Sequence, residues 1–333
     1  MHEFAPGAPR RTDTDPTVSN ARRRAALATA LAGRSGALAR RGFCRVALAQ
    51  AAAAALCPRP VIAAERLLFE RRSPYQSVQV LEDAHGLRSL RFGPHGARQS
   101  VVRPGDPDHL ALAYVRAMPV GLAYVPNAAR MLVVGLGGGS LPSLLRRRLP
   151  ALQLDVVELD PVVVEVARSH FGVREDAGLR IHVGDGRAFI ERATERWDLV
   201  ALDAYDARSV PHRLATLEFF RAVGRVLSPG GVAIANVWAP DLNPSYGGML
   251  RAWRDTFEAV WVLDAEGSGN RIVIGLPVGP APPREEIVRR CAELGERMAL
   301  RFDLAAIVRR GLRPVGADGE ASAPLRDADP PRG

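Results

Sequence analysis

The sequence predicts an α/β fold: a five-stranded parallel sheet with helices on both faces, closed by an antiparallel hairpin and preceded by a small antiparallel β element. Three observations predict it. From Met131 to Trp238, short apolar β-branched runs alternate with amphipathic helical runs, the pattern of a parallel sheet. The last two strand patterns, 259–265 and 271–277, are joined by Glu266-Gly267-Ser268-Gly269-Asn270, too short for a crossover helix, so they must pair antiparallel. Ahead of the alternation, between Glu65 and Val102, three short runs alternate in polarity and are separated by His85-Gly86 and Gly93-Pro94, which is hairpin grammar.

In chain order, residues 1–64 read as a leader or export signal without a packed core. They combine arginine clusters with the alanine-rich run Val46–Cys57, which is too short to span a bilayer but suits the apolar region of an export signal. Arg40-Arg41 followed by Phe43 is similar to a twin-arginine signal. The chain is therefore expected in the cytoplasm, or in the periplasm if that leader is functional. Residues 65–104 form the β element, and a helical pattern covers 108–123. Residues 105–312 form the main domain, with strands at 131–136, 153–159, 179–186, 197–205 and 231–238. Its helices fall at 140–149, 161–171, 187–193, 214–227, 246–257 and 284–300. A parallel sheet ending in an antiparallel hairpin is Rossmann-like, of the class I methyltransferase type. Residues 313–333, rich in Pro, Ala and Asp, read as a disordered tail.

The net charge of +9 suggests a polyanionic partner until it is located along the chain. Residues 1–64 hold ten arginines against three acids, which leaves +2 for the remainder, so neither a nucleic-acid face nor a membrane span is expected. There is no lysine, which removes Schiff-base and P-loop chemistry. The three cysteines have neither metal-ligand nor paired spacing, and no metal site is expected.

In a doubly wound sheet, ligands sit beyond the carboxyl ends of the strands. Those ends supply Gly135 to Gly139, then Glu158 and Asp160, then Gly184-Asp185-Gly186, then Asp203 and Asp206. Glu158 lies 19 residues after Gly139, where a carboxylate accepts from both ribose hydroxyls. Asp185 is placed to accept from an adenine amino group, with Gly186 allowing close approach of the ring and Gly135 and Gly137 shaping the turn. An amine nucleophile must lose a proton before it attacks carbon, and Asp203 is the candidate acceptor. Asp206 can hold a cationic amine; its alternative is a cap.

From Ser73 to Pro277 the chain resembles the spermidine synthase family of polyamine aminopropyltransferases, on the stretches "SPYQSVQV", "RQS", "PNAARMLVVG", "VVELDPVVVEVA", "VGDGRAFI", "WDLVALDAYD" and "EFFRAVGRVLSPGG". The resemblance implies transfer of the aminopropyl group of decarboxylated S-adenosylmethionine to putrescine or a related amine, with release of methylthioadenosine. It assigns Gln76, Glu158, Asp185, Gly186 and Pro211 to the nucleoside, Asp203 to proton acceptance, and Asp206 and Tyr75 to the amine. A small-molecule amine is the implied partner, and a homodimer is allowed for.

Three departures fall on the amine side. The family's turn is Gly-Gly-Gly-Asp-Gly-Gly, and this chain has Gly138 at the Asp position. The Tyr-His/Gln-Glu triplet that precedes it has no clear counterpart, for the region reads "HLALAYVRAM", with Tyr114 and Arg116. The family's Tyr-bearing hairpin lid is shortened to "AEGSGN". Two further hypotheses follow: a methyltransferase using intact S-adenosylmethionine, and a non-catalytic protein binding nucleosides or polyamines.

Overall fold

A strand needs a continuous partner, and the first four find one another in sequence order. They are β1 (Arg66–Arg72), β2 (Ser77–Glu82), β3 (Arg88–Phe92) and β4 (Arg98–Val102), an antiparallel meander. The computed structural model describes residues 65–94, 96–204, 210–316 and 322–329. The chain divides after Ile62 into two units, and these residues lie in the second. The leader at 1–64 lies outside the described residues, so nothing tests its twin-arginine-like pair. Alternation along β2 and β3 buries Val78, Val80, Leu90 and Phe92 against Val163 and Val166 of a helix in the main domain.

The helical pattern at 108–123 forms two short helices, α1 (Ala113–Ala117) and α2 (Val120–Tyr124). Pro119 separates them, because it has no N–H to donate to the turn before it. The alternating part then runs β5 (Arg130–Val134), α3 (Ser140–Arg148), β6 (Gln153–Glu158), α4 (Pro161–His170), β7 (Leu179–Val183), α5 (Gly186–Arg192) and β8 (Trp197–Leu202). It continues with α6 (Leu217–Val226), β9 (Leu227–Trp238), α7 (Tyr246–Arg254), β10 (Ala259–Ala265), β11 (Asn270–Leu276), α8 (Arg284–Arg297), α9 (Leu304–Gly311) and β12 (Leu312–Pro314).

These strands form one sheet in the order β12-β10-β11-β9-β8-β5-β6-β7. Strands β5 to β9 are parallel, and β11 turns antiparallel against β9 and pairs with β10 through the short hairpin. The order reverses between β5 and β8, which is the switch point where a crevice opens. Apolar side chains fill both faces, with Leu199, Ile234 and Ile274 in one layer and Val200, Ala233 and Val273 in the other.

The C-terminus departs from the sequence expectation. Residues 312–314 form an eighth strand on β10, and residues 322–329 are not a loose tail but a strap on the domain. Leu325 is buried, and its backbone exchanges hydrogen bonds with Leu217 and Gly248. A single apolar side chain among small and acidic residues carries no periodicity, so composition alone misses it. Among the described residues, no helix is long and apolar enough to cross a membrane.

Candidate active site

The turn after β5 brings the strand ends together. Gly135 has φ +99°, and a Cβ there would stand 2.2 Å from the Asp203 carbonyl oxygen, so only glycine lets the turn lie against the end of β8. Across the turn, the Glu158 carboxylate accepts from the Leu136 N–H at 2.9 Å and from the Asp160 N–H at 3.0 Å. Burial pushes the Glu158 carboxyl up, and the N–H groups of Asp160, Leu136 and Gly137 only partly oppose it. Glu158 therefore faces the glycine turn, the position predicted for a ribose acceptor.

Asp203 follows β8, and its carboxyl is strongly perturbed. Burial pushes it up to about 7; the amide of Asn236 opposes the shift and the charge of Glu158 adds to it. Asn236 Nδ2 donates to Asp203 Oδ1 at 2.9 Å, and Asn270 Nδ2 donates to Asn236 Oδ1 at 2.9 Å. This two-amide chain from β11 through β9 fixes the carboxyl's orientation. The sequence reading missed both asparagines. The available signal was a lone amide in the apolar strand "VAIANVW".

The Asp185 carboxylate caps α5 by accepting from the Ala188 N–H at 2.7 Å, and its other oxygen lies 3.0 Å from Arg213. A Cβ on Gly186 would stand 2.5 Å from Val134 Cγ1, so packing against β5 already accounts for this glycine. Pro211 precedes the short turn His212–Leu214, which carries Arg213. Asp206 lies outside the described residues.

The "SPYQ" turn is tied to the same edge of the cleft. Ser73 is buried, donates to Asp160 Oδ2 at 2.6 Å, and accepts from the N–H groups of Tyr75 and Gln76. Asp160 in turn caps α4 and stands two residues from Glu158. Tyr75 is 54% exposed, so its ring is available to a ligand and packs no core.

The chain matches a spermine/spermidine synthase domain over residues 115–247. It is 31% identical to the polyamine aminopropyltransferase of Vibrio vulnificus over 234 residues, which cover 68% of this chain and 77% of that one. The chain belongs to the spermine/spermidine synthase family. Its fold is shared with a probable spermidine synthase from Corynebacterium glutamicum, with a TM-score of 0.61 and 21% identity over 79% of this chain and 97% of the other. It is also similar to human methyltransferase-like protein 13 in complex with SAH, with a TM-score of 0.51 and 26% identity over 64% of this chain and 98% of that one.

Within this spermidine synthase framework, Gly138 is the informative departure. A Cβ there would meet Ser100 Cβ at 2.7 Å and Phe171 Cδ1 at 2.8 Å, while the Gly138 N–H donates to Ser100 Oγ at 2.8 Å. Both neighbours would have to shift to admit the family's carboxylate. Gly137, with φ +52°, leaves the backbone of the same turn bare.

Proposed function

We propose that this chain is an aminopropyltransferase that moves the aminopropyl group of decarboxylated S-adenosylmethionine to a polyamine acceptor such as putrescine, releasing methylthioadenosine. One observation carries the reading: a strand-end carboxyl, Asp203, poised near neutrality and held on one oxygen by Asn236. Among the described residues, its second oxygen has no partner.

The chemistry assigned to these residues is a displacement at carbon. The amine's lone pair forms a bond to the carbon beside the sulfonium, the carbon–sulfur bond breaks, and its electron pair neutralises sulfur. The proton lost by the ammonium goes to the second oxygen of Asp203, which must be ionised to take it. Glu158 holds the ribose diol and fixes the donor's reacting carbon, Asp185 and Pro211 border the base, and Gln76 and Tyr75 close the cleft from the β2 side. Asp206 is the proposed anchor for the acceptor's far amine.

A second reading is favoured by a specific observation. The missing carboxylate at Gly138 removes the group that would select a donor lacking its own carboxylate, so a methyltransferase using S-adenosylmethionine is the alternative. Calorimetry of the full chain with S-adenosylmethionine, its decarboxylated form and methylthioadenosine, followed by product analysis with putrescine, separates the two. Methylthioadenosine release that disappears in Asp203→Asn supports the transfer. S-adenosylhomocysteine formation supports the alternative, and binding without turnover refutes both in favour of a binding protein.

A further inference from the structure

A cavity of about 290 Å³ shares only Gly138 and Gly139 with the nucleoside turn, and none of Glu158, Asp185, Asp203 or Asn236 lines it. Its walls are the loop after β4, one face of α3 and the C-terminal end of α4. Five arginines, Arg88, Arg103, Arg147, Arg168 and Arg174, reach it together with two histidines, and no carboxylate is part of the lining.

That charge is held in place. Arg88 donates to the His170 carbonyl at 3.0 Å and pairs with Glu82 at 3.1 Å, and Arg147 donates to the Pro107 carbonyl and pairs with Asp108 at 3.2 Å. Arg168 pairs with Glu175. These three pair with acids outside the lining, but Arg88 shares Glu82 with Arg66, and Arg147 shares Asp108 with Arg148 and Arg301. Arg103 and Arg174 have no ion-pair partner among the described residues, so an excess positive charge faces the concavity. Burial and the Arg88 charge push the His170 imidazole down, as expected beside such a field.

We propose that this cavity binds a small phosphate-bearing anion. Guanidinium forks match phosphate oxygens in pairs, and the Ser140 and Ser143 hydroxyls on the same wall add donors without charge. The volume is at the small end of ligand pockets, which run from about 300 to 1,000 Å³. The arginines also converge on a concavity and do not follow a stripe, which favours a metabolite over a nucleic-acid backbone. The site stands independently of which group the neighbouring cleft transfers.

Calorimetry on the full chain at physiological salt tests it with pyrophosphate, glucose 6-phosphate, citrate and a duplex DNA oligonucleotide. Saturable binding of pyrophosphate or glucose 6-phosphate at one per chain is expected. The exposed pair Arg103→Ser/Arg174→Ser should weaken it by about 10-fold or more, the scale of a lost charge-assisted hydrogen bond. Arg192→Ser/Arg297→Ser, which removes the same charge outside the cavity, should leave it unchanged. Ser143→Asp, which puts a negative charge on the wall, should abolish it, so the site is probed even if the double variant folds poorly. Equal weakening by both arginine pairs, binding of citrate or DNA alone, or no saturable binding would each overturn the proposal.

Discussion

The two ends of the main sheet bury carboxylates with opposite consequences. Near the start of the strands, Asp155 is buried, yet Trp197 Nε1 at 3.0 Å, His182 Nε2 at 3.1 Å and Arg180 at 3.1 Å surround it. Burial alone would raise its carboxyl, but the hydrogen bonds from Trp197 and His182 and the charge of Arg180 outweigh burial and hold it down. Asp198 nearby is held down in the same way, with the N–H groups of Ala129 and Arg130 overcoming its burial. At the far ends of the strands no cation is among the main influences on Glu158 or Asp203, and both are pushed up. Burial opposes ionisation at both ends, so the sign follows from whether the donors outweigh it. A carboxylate whose donors and neighbouring cations outweigh its burial stays ionised and structural, whereas one whose donors fall short of its burial, as at Asp203, can exchange a proton near neutrality.

The sharpest way to break this contrast is Asp203→Asn. It keeps the shape and removes the proton acceptor, and turnover should fall by about 10²- to 10⁴-fold, the usual worth of a general base. Binding of methylthioadenosine should change little. The wild-type rate should rise with pH through about 7, because the working form is the carboxylate, and the variant's residual rate should lack that rise. Folding has the opposite sign. Since the folded Asp203 carboxyl lies above its unfolded value, its contribution to stability is fully present below the ordinary carboxylate range and is lost as pH rises towards about 7. Asp203→Asn should therefore melt higher than the wild type at pH 8 and no higher at pH 4, a gain in stability bought with activity.

The next largest effect belongs to the opposite end. Asp155→Ala leaves Trp197 Nε1 and the guanidinium groups of Arg130 and Arg180 facing a gap, and should cost about 3 kcal/mol of stability, measured by urea unfolding at pH 7. Here the folded carboxyl lies below its unfolded value, so its stabilisation is complete above the ordinary carboxylate range and is lost as pH falls through the folded value. The gap between wild type and Asp155→Ala should narrow at pH 3. A wild-type rate rise at neutral pH that vanished in Asp155→Ala would break the comparison.

Much of this site is legible in the sequence, for a simple reason. Strand-to-helix alternation fixes the sheet, and the sheet fixes which residues stand beyond its ends, so Glu158, Asp185 and Asp203 can be placed without coordinates. What cannot be read is what meets them from elsewhere in the chain. Asn236 sits opposite Ile272 in an apolar strand, and its partner Asn270 arrives from the hairpin, so neither has a local pattern. The sequence shows that Gly138 lacks a carboxylate but not that Ser100 and Phe171 fill the space. Pro119 marks the break between α1 and α2 visibly, yet amphipathic spacing runs across it and hides it.

Asn236→Ala sharpens the comparison by removing a donor without touching charge. The amide holds the Asp203 carboxyl lower than burial alone would, so its loss should move the rise in rate to higher pH. Turnover at pH 7 should drop about 10-fold, the worth of one hydrogen bond to a charged group. Nucleoside affinity should be unchanged, which separates positioning of the carboxyl from general damage. Asn236→Gln, which keeps an amide, should restore part of the rate.

The smallest expected effect comes from the strap. Asp327 pairs with Arg187 through both oxygens at 2.6 Å and accepts from Thr216 Oγ1 at 2.7 Å, and the Arg326 carbonyl meets His212 Nε2 at 3.0 Å. Arg187 directly follows Gly186 and also donates to the Arg213 carbonyl at 3.1 Å, so the strap holds the two segments that carry Asp185 and Pro211 against each other. Asp327→Asn keeps Leu325 in the core but weakens the clamp at a partly exposed pair, so stability should change by less than about 1 kcal/mol. Methylthioadenosine affinity should fall by a few-fold, with the pH of the rate rise unmoved, because Asp203 is not in contact with the strap. A shift of that pH in Asp327→Asn would mean that the wall of the base and the proton acceptor are one coupled unit, and the division between the two roles would then have to be redrawn.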